Sequence, residues 1–253
     1  MRKVIVVLPV FDEEMALPSL LGKIKDLAGE LEERVVVAAV DDGSRDASPE
    51  IIGKFAGEIE VIRVTHAENQ GLRRTMYDGY VAAARMALDD DVIVTMDADD
   101  TQDPKYIQGM IRKLDEGSDV VIASRYQGGS VVRGVPARRR LCSLGANLLC
   151  RAFLRLKNVR DYACGFRAFR GALLKKCVER YGNDLLEIKG YGFICAVEVL
   201  LKAAACGAVF DEVPFELRYD RRGEGSKMRA GRTALGYLVL VWRSMALKAG
   251  GRG

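Results

Sequence analysis

The sequence predicts an α/β protein with a mostly parallel central sheet flanked by helices. Three observations lead there. Short β-branched runs alternate with stretches whose apolar residues recur at helical spacing. The links between them are short, which suits strand–helix–strand crossovers. The runs are apolar at successive positions, as in strands covered on both faces.

The elements follow in order. Residues 4–8 form the first run, ended by Pro9. Residues 13–31 place Leu17, Leu20, Leu21, Ile24, Leu27 and Leu31 on one helical stripe. Residues 35–40 are a second strand, and 46–56 a helix after the turn Asp42-Gly43-Ser44. Strands over 61–64, 92–96 and 120–123 enclose helices over 72–88 and 104–116. Ligands of such sheets sit at the carboxyl ends of strands, so chemistry is expected just after residues 8, 40, 96 and 123. Beyond residue 130 the rhythm changes. Residues 137–157 space Leu141, Leu144, Leu148, Leu149, Ala152 and Leu156 helically, among Arg138, Arg139, Arg140, Arg151, Arg155 and Lys157. That is a basic amphipathic helix, of the kind that either packs on a sheet or lies on a membrane surface. A helix over 192–206, a strand over 209–217 and a helix over 230–247 complete the reading, with a frayed tail at 248–253. The longest charge-free run of the last helix, 233–242, is shorter than the roughly 20 apolar residues that span a bilayer.

Composition narrows the function. With 253 residues, 49% of them apolar, the chain can bury a sizeable core. The single histidine, His66, excludes zinc sites built on several histidines and leaves little for a His-based triad. No cysteine pair has C-x-x-C spacing, and no leader pattern follows Met1-Arg2-Lys3, so reduced thiols in a cytosolic protein are expected. No phosphate-loop, G-x-G-x-x-G or G-x-S-x-G pattern occurs. Charge is unevenly divided. Residues 1–126 hold 15 Lys/Arg against 25 Asp/Glu, a net of −10, while 127–253 hold 24 against 10, a net of +14. An acidic half suits a cation, and a basic half suits phosphates, nucleic acid or an anionic membrane.

Three strand-end motifs carry chemistry. In Met96-Asp97-Ala98-Asp99-Asp100, Asp97 and Asp99 point the same way in extended geometry. Two such carboxylates repel unless a cation lies between them or one is protonated. Hard oxygen ligands suit Mg²⁺ or Mn²⁺ held jointly with substrate phosphates; a solvated turn is the plainer reading. In Val40-Asp41-Asp42-Gly43-Ser44 a carboxylate can accept from a base or ribose, or close an Asx turn with a cap at Ser44 or Asp46. In Pro9-Val10-Phe11-Asp12-Glu13, Asp12 can cap the next helix and Phe11 offers a platform for a base.

These motifs continue with Asn69-x-Gly71, Ser124-Arg125-Tyr126, Arg139-x-x-x-Ser143-x-Gly145-Ala146-Asn147, Asp161 with Gly165-Phe166-Arg167, and Arg221 before Gly225-Ser226-Lys227. Eight motifs in this order, over residues 3 to about 228, resemble the family 2 glycosyltransferases of the Rossmann-like GT-A fold, nearest the dolichyl- or polyprenyl-phosphate mannosyltransferases. The resemblance implies a GT-A domain over 1–228, with a nucleotide-sugar and metal half at 1–126 and an acceptor half at 127–228, then an amphipathic helix and tail at 229–253. It implies that Pro9, Phe11, Glu13, Val40 and Asp42, with Asp97 and Asp99, hold the nucleotide-sugar. Asp97 and Asp99 would hold the metal. Arg125, Arg139, Ser143 and Arg221 would grip the acceptor phosphate, and Asp99, Arg125, Arg139 and Arg221 would carry the chemistry. Asp12 stands where the family often has Asn, and Thr101 where some members have a metal-ligating Gln, with Gln102 adjacent.

The expected activity is an inverting, metal-dependent transfer of a hexose to dolichyl or polyprenyl phosphate. The resemblance favours mannose from GDP-mannose; UDP-glucose, UDP-N-acetylglucosamine or a saccharide acceptor is the alternative. A lipid phosphate already carries a nucleophilic oxyanion, so arginines need only position it. The expected place is the cytoplasmic face of a membrane, reached through basic amphipathic helices or a membrane-protein partner. Two rival classes fit less well. A phosphorylated receiver domain is similar in its Asp41-Asp42 pair but needs a Lys where Arg125 stands. A nucleic-acid binder would show aromatic–basic motifs, which are absent, so no nucleic-acid partner is expected.

Overall fold

The structure, a computed structural model, describes residues 1–188, 194–222, 236, 237, 239 and 240. The first half is the predicted alternation: β1 (Lys3–Val10), α1 (Leu17–Glu30), β2 (Arg34–Asp41), α2 (Ser48–Phe55), β3 (Glu60–Thr65), α3 (Leu72–Met86), β4 (Val92–Thr95), α4 (Ile107–Asp115) and β5 (Val120–Ser124). The second half adds β6 (Val131–Arg133), α5 (Ala137–Leu154), β7 (Arg167–Arg170), α6 (Gly171–Tyr181), α7 (Cys195–Ala205), β8 (Phe210–Pro214) and β9 (Glu216–Arg218). The predicted helix over 230–247 falls largely outside the described residues.

The main sheet has seven strands in the order β3-β2-β1-β4-β7-β5-β8. Val4–Leu8, Val36–Val40 and Val92–Val94 are almost wholly buried, because helices cover both faces of these central strands. Strand order reverses beside β1, so a crevice opens at the carboxyl ends of β1 and β4. This is the expected mostly parallel architecture.

Beyond α6 and β6, where the sequence reading names no element, two features depart from its expectation. The first is β7, which runs antiparallel between β4 and β5. Its sequence Arg-Ala-Phe-Arg has no β-branched run to announce it. It is fixed from outside instead: Arg167 is buried and its guanidinium donates to the carbonyls of Tyr162 (2.8 Å) and Ala196. The second is the expected strand over 209–217, which splits. β8 joins the main sheet, while β9 leaves it to pair with β6. The break is Phe215, fully buried edge-on against Tyr106 and Phe166, with ring centroids 6.0 and 5.9 Å apart.

The strand-end loops brace one another. The amides of Asp12 and Glu13 donate to Ser44 Oγ (3.0 Å) and Ser48 Oγ (2.9 Å), and Arg45 N donates back to Asp12 Oδ1 (2.8 Å). Asp12 therefore ties the β1 and β2 turns together. Asp46 Oδ1 accepts from Ser48 N at 2.9 Å, as a cap would.

Gly43 permits this packing. Its φ is +72°, and a Cβ there would lie 2.7 Å from the backbone carbon of Glu68. Gly43→Ala should lower unfolding free energy by about 1–3 kcal/mol, read as an earlier midpoint in urea at unchanged slope.

Candidate active site

A cavity of about 830 Å³ opens at the carboxyl ends of β4 and β5 and is walled by α5. That is within the range of small-ligand sites. Asp97, Asp99, Arg125, Arg139 and Ser143 all line it. Pro9, Phe11, Glu13, Val40 and Asp42 sit at the ends of β1 and β2, outside its lining. Arg221 is exposed and also outside it; its neighbour Arg222 lines the cavity.

The acidic wall begins where β4 ends. The Asp97 amide donates to Gln102 Oε1 at 3.0 Å, and Gln102 Nε2 donates to Asp97 Oδ2 at 2.9 Å. Gln102 thus orients a carboxylate. Asp99 Oδ1 accepts from Thr101 Oγ1 at 2.7 Å, and Asp99 Oδ2 pairs with Arg222 Nη1 at 3.1 Å. Asp100 turns away: in a left-handed conformation (φ +56°), it takes Ser19 Oγ at 2.9 Å and Lys23 Nζ at 2.7 Å from α1. Burial and then the charge of Asp99 push the Asp97 carboxyl up to about 7, and Glu13, after the end of β1, adds to the rise.

The basic wall rests on Asp161, which is fully buried. Arg125 Nε and Nη2 donate to its two oxygens, each at 2.7 Å, and the Arg125 amide adds a bond of 3.0 Å. Burial would raise Asp161, but the Arg125 guanidinium outweighs it and holds the carboxyl below its ordinary range. Arg125 therefore keeps its charge at the cavity while being committed to a structural ion pair. On α5, Ser143 Oγ lies 3.3 Å from Tyr126 Oη, and Arg139 donates to Tyr219 Oη. The guanidiniums of Arg139 and Arg222 lie 5.3 and 5.7 Å from the centre of the Tyr219 ring.

Asp42 has a different setting. Its oxygens accept from the amides of Gln70 and Gly71, both at 2.8 Å, and His66 Nδ1 lies 2.7 Å away. His66 Nε2 faces Asp78 Oδ2 at 2.9 Å. Asp42 thus fastens the Asn69–Gly71 turn to the end of β2.

Arg222 escaped the sequence reading because motif spacing pointed to Arg221. Tyr219–Arg221 form a single 3-10 turn that ends at Arg222, so the two adjacent arginines leave it in different directions. The choice is settled by Arg218 N, which donates to Thr101 O at 2.9 Å and lays the segment after β9 across the aspartate loop.

The donor set fits a hard divalent ion shared with phosphates. Two carboxylates converge, and no group of three His, Cys, Asp or Glu able to hold a metal occurs among the described residues. Two carboxylates leave most of the coordination shell of such an ion open to substrate phosphates and water.

The fold is a doubly wound α/β sheet whose strand-end crevice has an acidic and a basic wall. Residues 5–178 match the model of Glycosyl transferase family 2, and the chain belongs to that family. It is 32% identical over 244 residues to a dolichol-phosphate mannosyltransferase of Pyrococcus furiosus, covering 96% of this chain and 64% of that one. It is 32% identical over 235 residues to an undecaprenyl-phosphate mannosyltransferase of Micrococcus luteus, covering 90% of this chain and 88% of the relative. Among solved structures it superposes on glucosyl-3-phosphoglycerate synthase of Mycobacterium tuberculosis, crystallised with Mn²⁺ and UDP, with a TM-score of 0.65 at 19% identity, over 95% of this chain and 80% of that one. The last likeness establishes the GT-A fold.

The raised Asp97 has a sign. A carboxyl protonated more readily folded than unfolded contributes stability at low pH. That contribution is lost as pH rises from about 4 to about 7. Metal-free protein should therefore lose thermal stability across that window. Asp97→Asn, which can keep the Gln102 contact, should flatten the profile and weaken Mn²⁺ binding at least tenfold by titration calorimetry.

Proposed function

We propose that this enzyme transfers a hexose, mannose from GDP-mannose, to the phosphate of a polyprenyl or dolichyl lipid with inversion at the anomeric carbon. One observation carries the reading: Asp97 and Asp99 share a single cavity with Arg125, Arg139 and Arg222. An anionic leaving group and an anionic attacker can flank one carbon there. The names of the Pyrococcus and Micrococcus relatives support mannose and a polyprenyl phosphate.

The chemistry follows from the two walls. Mg²⁺ or Mn²⁺ on Asp97 and Asp99 would supply the positive charge that stabilises the departing diphosphate. Arg139, with Arg222 beside it and Ser143 donating, orients the lipid phosphate so that one oxyanion faces the anomeric carbon. That oxygen forms the new glycosidic bond as the bond to the nucleotide β-phosphate breaks. No general base is required, because the attacking oxygen carries no proton. Arginine remains protonated throughout, so it grips the oxyanion without quenching it. Pro9, Phe11, Glu13 and Val40 would border the nucleoside, which places it over the ends of β1 and β2.

The two faces of α5 support an approach of the lipid along this helix. One face presents Arg139, Ser143 and Ala146 to the cavity. The other leaves Leu141, Leu144 and Leu148 exposed, Leu141 by 70% and Leu148 by 64%. Exposed Arg140, Arg151 and Arg155 accompany them. Apolar side chains left in water beside arginines suit the headgroup region of an anionic leaflet. No helix among the described residues is long and apolar enough to cross a membrane. The enzyme would thus work peripherally at the cytoplasmic face, directly or through a membrane-protein partner.

The activity is tested by incubating the protein with Mn²⁺, a polyprenyl phosphate and a panel of nucleotide-sugars, then weighing the product. A lipid-phosphate mannose from GDP-mannose is expected. Product from a UDP-sugar would replace the donor, and a glycosylated saccharide would replace the acceptor. Arg139→Ala should cut lipid transfer about 100-fold while GDP binding holds. The membrane reading predicts flotation with acidic vesicles at low salt, lost in Leu144→Glu/Leu148→Glu; protein that never floats contradicts direct docking.

A further inference from the structure

The pairing of Arg222 with Asp99 joins groups assigned to opposite substrates. In the reading above Asp99 serves the cation and the leaving diphosphate, whereas Arg222, which pairs with it, stands with Arg139 against Tyr219 on the side given to the acceptor. Both are largely shielded, with side-chain exposures of 17% for Arg222 and 8% for Asp99. The other oxygen of Asp99 is engaged by Thr101, and Asp97 is engaged by Gln102. Arg222 therefore supplies a positive charge at the open side of the carboxylate pair, where a divalent ion would also bind. Two positive charges compete for that oxygen.

We propose that Arg222 is a positioning residue that couples donor loading to acceptor binding. It neutralises Asp99 in the empty enzyme, and on donor loading it releases Asp99 and turns to the acceptor phosphate beside Arg139. The inference rests on the lipid-phosphate reading above. The geometry makes the exchange a short one. The backbone bond from Arg218 to Thr101 holds the Arg222 segment over the aspartate loop, and the Tyr219 ring carries both guanidiniums. Arg139 and Arg222 repel across that ring, and an anion between them removes the repulsion. While Arg222 serves Asp99, that anion site lacks one of its two arms. Donor first, acceptor second is the resulting order. It protects a nucleotide-sugar site from being closed by an acceptor that arrives early.

The test reads metal and anion binding rather than turnover. Mn²⁺ binding without substrates is followed by electron paramagnetic resonance of the free ion. Arg222→Gln should bind Mn²⁺ about tenfold tighter than the wild type, while Arg222→Lys, which keeps the charge, should stay near it. In a second arm, a short-chain polyprenyl phosphate is titrated with and without Mn²⁺ and whichever of GDP or UDP the protein binds. The wild type should bind the lipid phosphate about tenfold tighter when loaded. Asp99→Asn, which frees Arg222, should bind it that tightly with no nucleotide. Equal Mn²⁺ affinity in Arg222→Gln and wild type, or lipid-phosphate affinity indifferent to loading, overturns the coupling. The Mn²⁺ arm needs neither sugar nor lipid, so it stands even if the product assay shows another donor or acceptor.

Discussion

The framework of the basic wall depends on one buried carboxylate. Asp161 has no exposed surface, yet it stays ionised because Arg125 meets it with a two-pronged fork and the amides of Arg125, Ala163 and Cys164 point at it. Asn147, from the inner face of α5, reaches the same carboxylate at 3.4 Å and accepts from Tyr162 N at 2.8 Å. One anion thus joins the end of β5, the middle of α5 and the loop entering β7. An ion pair so deep adds little net stability over an apolar substitute, but breaking it leaves a buried charge unanswered. Its value lies in geometry: it fixes the basic wall at a set distance from the aspartates at the end of β4.

The charge division along the chain then acquires a spatial meaning. The acidic half folds into the parallel sheet whose strand ends carry Asp97 and Asp99. The basic half contributes α5 and the segment after β9, which return across the same crevice. Each wall alone would be costly. Two close carboxylates repel, which adds to burial in raising Asp97, and clustered guanidiniums repel as well. Set face to face across a cavity, each finds its counter-charge in the other or in a substrate. Anionic reactants can then enter without either wall being left bare.

Much of this was legible in the sequence, for physical reasons that differ by region. Strands β1, β2, β4 and β5 announce themselves because burial on both faces demands unbroken β-branched runs. The D-x-D pair is legible because it follows such a run. What escaped was held by tertiary contacts rather than by pattern. β7 is an antiparallel insert of four residues fastened by Arg167. The bend at Phe215 comes from aromatic packing. Arg222 replaced Arg221 as the cavity arginine because a backbone bond from Arg218 sets the phase of the following turn. The bonds from Asp42 to the amides of Gln70 and Gly71 join residues too far apart in the chain for local spacing to reveal.

The central claim is that the aspartate pair and the arginine cluster serve a single reacting carbon. The most direct measurement is phosphorus-31 relaxation of a short polyprenyl phosphate bound to the enzyme loaded with Mn²⁺ and a nucleoside diphosphate. Mn²⁺ held by Asp97 and Asp99 should broaden the lipid phosphorus strongly, and diamagnetic Mg²⁺ in its place should restore the line. A lipid phosphorus that binds with unaltered affinity yet keeps its narrow line in the presence of Mn²⁺ would put donor and acceptor in separate crevices and contradict the account.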